Sequence, residues 1–587
     1  MTSQLDTDDR EVMLSATGGS PHRSTSTFAR YGLTTLDVLL CFAVLIVMCA
    51  YTPFFHTWFW APRMAVVLAV VLPGLIALVR LVANGDRAAR WGAGFLVWAL
   101  VAAAFSDNWW LSFRGTIAQS TFVLTFMAAL GLWALAQSMS PAGRRLMLRT
   151  VLVGVTLNAI VGALQVLLQL EGGNLGLLGG RAIGLTPNPI ELAAYMLIGI
   201  FVCLQMWTDD ASRRVELAVV GVFSFGAVLA FTSTRVALVA FVVVAVAANL
   251  QRRDRRLLQG SLMATLGVAC GVGISRIAGN GTDVLGRATA SAGGRTEWWV
   301  AGAKALADRP VTGWGLGRFR PAIQGELTFA QVAANQDSQA IPDAHNLMVS
   351  MAVEVGVIGL VLFLGFCWCV ARRVSGVYSL ALLAVPIIWL LQPVAQTTML
   401  VFVVMLGIAV SPARSTAESE AFARGTSAWT TWMWATATIV GVCAASWLMV
   451  AEYRLAQASL ALDGAKFAAA EAMYFGDPLV SDVGARILTG RSLVDQTVEP
   501  QILPQLERSA DLEPTRAYFQ ARVAAELGRL GEYRRAEQRA RRALELQPTS
   551  ALAWTTLRNI AEETDDERLR LEASGPLCLL GLDGCAS

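Results

Sequence analysis

PDAHNLMVSMAVEVGVIGL, residues 342–360, runs from a polar head straight into an apolar stretch fit for a lipid bilayer. His345, one of only three histidines in 587 residues, stands at the threshold. Asn346 follows it, and Glu354 lies inside the apolar run. A short polar side chain at a helix start accepts from the orphan N–H groups of the first turn, so a histidine–asparagine pair here can be a cap. It can equally be a group that does chemistry at a membrane surface, and residues 342–360 alone leave both readings open. Glu354 comes eight residues after Asn346, about 80° around a helix from it, and reads as a structural or supporting carboxyl.

The rest of the chain has the same apolar character. Hydrophobic residues make up 55% and charged residues 15%, with a mean hydropathy of +0.53. A soluble globule is excluded, because runs of about 18 or more apolar residues recur, each long enough for a hydrocarbon core of about 30 Å. The first apolar run begins near Leu33 and lacks a signal-peptide layout. Thirteen candidate spans are centred near residues 43, 73, 98, 126, 158, 198, 223, 242, 266, 357, 383, 402 and 441. The expected fold is an all-α polytopic membrane protein of about thirteen transmembrane helices. A polar tail (1–32) precedes nine spans (33–275), a long loop (276–345), four spans (346–452) and a helical-repeat region (453–587).

Charge sets the expected orientation. The tail and alternate connections carry nineteen arginines, Arg80, Arg87 and Arg90 among them, whereas the opposite short loops carry four: Arg63, Arg114, Arg181 and Arg235. The N-terminus is therefore expected in the cytoplasm, with His345 and the C-terminal region on the outer, periplasmic side of a bacterial inner membrane. No basic block interleaved with aromatics speaks for nucleic acid.

Two segments break the pattern of short loops. Residues 276–345 are too long for a plain connector; they hold an expected helix, RTEWWVAGAKALADRP, and the glycine-rich turn GWGLG at 313–317. Beyond residue 453, LEPTRA at 512–517 recurs as LQPTSA at 546–551, an offset of 34 residues. That period, with proline at the repeat end and Gly531 and Tyr533 at a turn between helices, predicts tetratricopeptide-like helix pairs. FGDPLV at 475–480 reads as the end of a degenerate earlier copy. Most of the nine cysteines lie in apolar runs as small hydrophobes, but Cys578 and Cys585 in CLLGLDGC could form a short disulfide.

Arginines on the outer side need a reason. Arg63 and Arg114 read as side chains that snorkel to lipid phosphate. Arg235, in a turn of two or three residues, and Arg181 and Arg295 are candidates for anion binding. Their planar donor forks match phosphate oxygens and could stabilise a diphosphate as it leaves. No metal-ligand spacing or acidic metal cluster is evident. His345, with an unperturbed pKa near ~6.5, suits the remaining task of taking a proton from an acceptor hydroxyl.

With these residues in view, the sequence resembles the O-antigen ligase superfamily, which includes O-antigen ligases, O-antigen polymerases and bacterial protein O-oligosaccharyltransferases. His345-Asn346-Leu347 followed by Glu354, Gly356 and Gly359 matches its His-Asn…Glu-x-Gly-x-x-Gly pattern. Gly294-Arg295 through Trp298, with Pro310, Gly313 and Gly315, matches the stretch before that histidine. Thr232-Ser233-Thr234-Arg235 resembles its arginine-bearing turn. Arg181, Gly184 and Asn188-Pro189 resemble its earlier loop, although Ile190 stands where an asparagine is common. The resemblance implies transfer of a glycan from an undecaprenyl-diphosphate carrier, with no cofactor, nucleotide sugar or metal. It carries diphosphate binding to Arg181, Arg235 and Arg295, catalysis to His345, and supporting roles to Asn346, Asn188 and Glu354. The helical repeats favour a periplasmic acceptor protein such as a pilin over lipid A core, with polymerisation third. A polysaccharide transporter or flippase, and a non-enzymatic scaffold, are the readings of other classes.

Overall fold

In a computed structural model, the described residues are 33–52, 57, 59–116, 121–170, 176–208, 215–278, 288–335, 341, 343–374, 378–410, 428–461, 464–474, 476–492 and 496–582. Among them the chain is helical, its only extended pairing an isolated bridge between Leu178 and Arg181. Each of the thirteen expected centres falls on a helix. Seven helices are long and apolar enough to cross a membrane by length and composition: Trp60–Ala83, Pro141–Leu167, Pro189–Thr208, Arg235–Arg252, Arg255–Ile277, Leu347–Ala371 and Trp432–Ala461. They fit a multi-pass membrane protein. The apolar helices Thr35–Cys49, Val123–Gln137, Glu216–Phe231 and Gln396–Val410 are shorter. At 1.5 Å per residue, a helix of fifteen residues reaches about 22 Å, so on this measure the described residues account for seven of the thirteen expected spans.

One apolar core runs through the bundle from Leu40 to Val410. Arg63 belongs to it. Its helix turns Ala61, Pro62, Arg63 and Met64 inward, and Arg63 is only 2% exposed. The guanidinium donates to the carbonyls of Val47 (3.2 Å) and Leu185 (3.1 Å). The expectation that Arg63 snorkels to lipid is therefore corrected. Arg114 is corrected too, since it lies 3.6 Å from the buried Asp477 carboxylate and against the Trp110 ring.

The Leu347–Ala371 helix is broken at Gly356, where φ is +66°. The glycine-rich turn after the Ala288–Asp308 helix is stitched into the break. The N–H of Val357 donates to Pro310 O, that of Trp314 to Val353 O, and that of Gly315 to Glu354 O, at 2.8–3.0 Å. Glycine is required on both sides of this contact. A Cβ on Gly356 would lie 2.1 Å from the Val311 carbonyl oxygen, and one on Gly313 2.6 Å from the Glu354 carbonyl carbon. Backbone thus packs on backbone, which only residues lacking Cβ permit.

Toward the C-terminus, helices begin at Ala517, Tyr533, Ala551 and Glu567, so that two successive hairpins repeat at the 34-residue offset. Gly531 and Asp565, 34 residues apart, both take the left-handed conformation at the turn. Phe519, Val523, Leu527, Leu557 and Ile560 fill a core between the hairpins. Cys578 is disulfide-bonded, while Cys585 lies outside the described residues.

Arg318 fastens these hairpins to the rest of the chain. It is 1% exposed and grips Asp107 through two bonds, Nε–Oδ1 at 3.0 Å and Nη2–Oδ2 at 2.7 Å. Its Nη1 donates to Glu513 Oε1 at 2.6 Å, and Thr515 donates its hydroxyl to Asp107. Burial pushes the Asp107 carboxyl up, but the Arg318 charge and the bonds from Arg318 and Thr515 bring it below its ordinary value.

Candidate functional site

His345 sits at the tip of the loop entering the Leu347–Ala371 helix, in the left-handed region at φ +50°. Such a conformation costs a non-glycine residue on the order of 1–3 kcal/mol and persists only where the surroundings impose it. Asp343 imposes it from within the loop: its Oδ1 accepts the His345 backbone N–H at 2.7 Å and lies 3.2 Å from ring Nδ1. The Ala288–Asp308 helix braces the outside. Trp298 meets the imidazole at 5.2 Å between ring centroids, and Trp299 Nε1 donates to Ala344 O at 2.9 Å. With Nδ1 directed at a carboxylate, Nε2 is the ring nitrogen that can take a proton.

Arg295 lies one turn before Trp298 on that helix and is half-buried. Desolvation lowers its guanidinium below the ordinary value. Glu354 is 1% exposed. Its carboxylate accepts from the backbone N–H groups of Gly317 and Phe319, leaving Oε2 without a partner among the described residues.

Two asparagines meet across a cavity of about 130 Å³. Asn346 caps the Leu347–Ala371 helix, its Oδ1 accepting from Met348 N (2.9 Å) and Val349 N (3.2 Å). Asn188 does the same before the Pro189–Thr208 helix, its Oδ1 accepting from Ile190 N at 2.9 Å. With each carbonyl oxygen committed to a helix, the amide NH2 is what each asparagine has left to offer. Glu191, Asp343, Ser350 and Gln392 join them in the lining. The Glu191 carboxylate accepts from the Thr397 hydroxyl.

Arg181 and Arg235 meet at one turn. Arg181 Nε donates to Thr232 O at 2.8 Å and Nη2 to Thr234 Oγ1 at 3.0 Å, while Arg235 opens the next helix. The loop that carries Arg181 is held from below by Gln165, whose Oε1 accepts from Ile183 and Gly184, and by Asn158, whose Oδ1 accepts from Leu185. None of Arg181, Arg235 and Arg295 lines the cavity.

The sequence reading passed over three residues. Asp343 stands two before His345, the spacing of an Asx turn. Glu191 occupies the third helical position after Asn188, with Pro189 first, a helix-start signature. Arg318 carried no local signal.

Residues 219–364 match the family model described as O-antigen ligase. The match includes Arg235, Arg295, His345, Asn346 and Glu354, and excludes Arg181 and Asn188. It supports a glycan transferase of the O-antigen ligase superfamily, a family that implies a lipid-linked glycan donor and a glycan acceptor. No curated protein matches the chain.

Proposed function

We propose that this protein transfers a glycan from an undecaprenyl-diphosphate carrier to an acceptor hydroxyl at the outer face of a bacterial inner membrane. The acceptor oxygen attacks the anomeric carbon, the bond from that carbon to the diphosphate oxygen breaks, and the acceptor proton passes to His345. The lipid diphosphate leaves with the electron pair, its charge held by Arg181, Arg235 and Arg295. One observation carries the reading: a histidine whose backbone is held left-handed, with ring Nδ1 against Asp343 and the imidazole tilted against Trp298 at 5.2 Å between centroids. A cap alone would not require that pairing, because Asn346 already caps the helix.

The reading places the N-terminus in the cytoplasm and residues 453–587 in the periplasm as tetratricopeptide-like repeats. The favoured acceptor is a serine or threonine of an exported protein, since stacked helical hairpins commonly present a concave surface to peptides. Transfer to lipid A core, or to a growing polymer, uses the same chemistry.

The test is transfer by purified protein in detergent from a lipid-diphosphate glycan. His345→Ala should abolish it while the chain remains membrane-inserted, and a near wild-type rate would remove His345 as base. In cells lacking the protein, loss of a protein-bound glycan with intact lipopolysaccharide selects the protein acceptor, and the reverse selects lipid A core. If the purified protein moves no glycan but carries lipid-linked glycan across vesicles, it is a transporter.

A further inference from the structure

We infer that the cavity between the starts of the Pro189–Thr208 and Leu347–Ala371 helices seats an uncharged sugar ring rather than the diphosphate. The inference rests on the transferase reading and divides its substrate between two places. Among the described residues no arginine, lysine or histidine lines the cavity, while the carboxylates of Glu191 and Asp343 do. A doubly charged diphosphate there would meet two carboxylates, and the Arg63 guanidinium that acts on Glu191 already gives N–H groups to the Val47 and Leu185 carbonyls rather than to the cavity.

The same lining suits a polyhydroxylated ring. Asn188 and Asn346 have amide donors left over from capping, and Gln392 adds another amide. Glu191 and Asp343 accept, as sugar hydroxyls require. Leu347 and Met351 provide apolar surface for the C–H face of the ring. Asp343 is shared: it lines the cavity and holds Nδ1 of His345, so a ring seated there lies beside the proposed base. The arginine pair at the Thr232–Thr234 turn is then left for the anionic part of the donor.

The sugar could be the first residue of the donor glycan or a sugar of the acceptor, and the test separates them. Wild type, Gln392→Ala and Glu191→Gln are compared in detergent; the first variant touches only a partly exposed side chain, and the second keeps an acceptor for Thr397. The probes are bare undecaprenyl diphosphate, the same lipid bearing one N-acetylhexosamine, and free N-acetylhexosamine followed by saturation-transfer NMR. Both variants should weaken the sugar-bearing lipid about tenfold and leave the bare lipid within about twofold. Loss of only the free-sugar signal, with both lipids unaffected, assigns the cavity to an acceptor sugar. If wild type binds neither lipid but gives a free-sugar signal that the variants lose, the subsite stands and the lipid-diphosphate reading falls. Equal weakening of both lipids, or no change with any probe, overturns the subsite.

Discussion

Oδ1 of Asp343 serves His345 twice, accepting its backbone N–H at 2.7 Å and lying 3.2 Å from ring Nδ1. One carboxylate thereby sets both the turn and the direction of the imidazole. Asp343→Asn keeps an oxygen for the backbone bond but removes the charge beside the ring. Transfer should fall by about 10²-fold or more, a larger loss than the roughly tenfold weakening of the sugar-bearing donor that its place in the cavity lining predicts, with thermal stability close to wild type. A steady-state assay beside a melting curve checks this, and an unchanged turnover would reduce Asp343 to a turn residue.

Arg318 holds Asp107 and Glu513 at once, with almost no exposure. Arg318→Met would leave Asp107 without its ion-pair partner and Glu513 with only Arg516, at 3.5 Å; breaking a buried pair costs about 3–5 kcal/mol. Limited proteolysis should then release a C-terminal fragment that the wild type protects. Equal protease resistance would show that the hairpins are held by other contacts.

The same clamp has a defined acid limit. The Asp107 carboxyl is below its ordinary value in the folded chain, so it binds protons less readily than in the unfolded one. It therefore contributes stability above the unfolded carboxylate pKa of about 3.9, and that contribution is lost as pH falls through the lower folded value. Asp107→Asn should show a smaller loss of melting temperature on acidification than wild type. Identical pH dependence in the two proteins would place the acid-sensitive group elsewhere.

Gly356→Ala introduces a Cβ 2.1 Å from the Val311 carbonyl oxygen and holds alanine at φ +66°, ψ −176°, a conformation essentially confined to glycine that costs on the order of 1–3 kcal/mol. Expulsion of the GWGLG turn should follow, read as lower activity and as new protease cleavage near residues 311–317. Gly359→Ala meets side-chain rather than backbone atoms, Val355 Cβ and Cγ2 at 2.5 Å and Trp98 Cδ1 at 2.8 Å, and needs no positive φ, so it should be damaging but milder.

What the sequence disclosed and what it concealed divide along the range of the interactions. His345 and Asn346 stood out because polar groups at the edge of an apolar run are locally anomalous. The 34-residue hairpin spacing was legible because a repeat compares the chain with itself. Arg63 was misread because composition cannot say which face of an apolar helix turns inward. Arg318 was invisible, its partners lying 211 and 195 residues away. Gly356 was noticed as part of a pattern, but its backbone break has meaning only beside Gly313, a partner that no helical period reveals. Thirteen apolar stretches could be counted, yet helix lengths, which decide how many reach across a bilayer, depend on where each helix ends.

The Arg318 clamp also orders events during synthesis. Glu513 leaves the ribosome 195 residues after Arg318. Until it arrives, the arginine that follows the GWGLG turn has only Asp107, and the turn that fills the break beneath His345 lacks its second anchor. Nascent chains stopped before Glu513 should insert normally and yet lack transfer activity, so that competence waits on a residue made 195 positions after the arginine it secures.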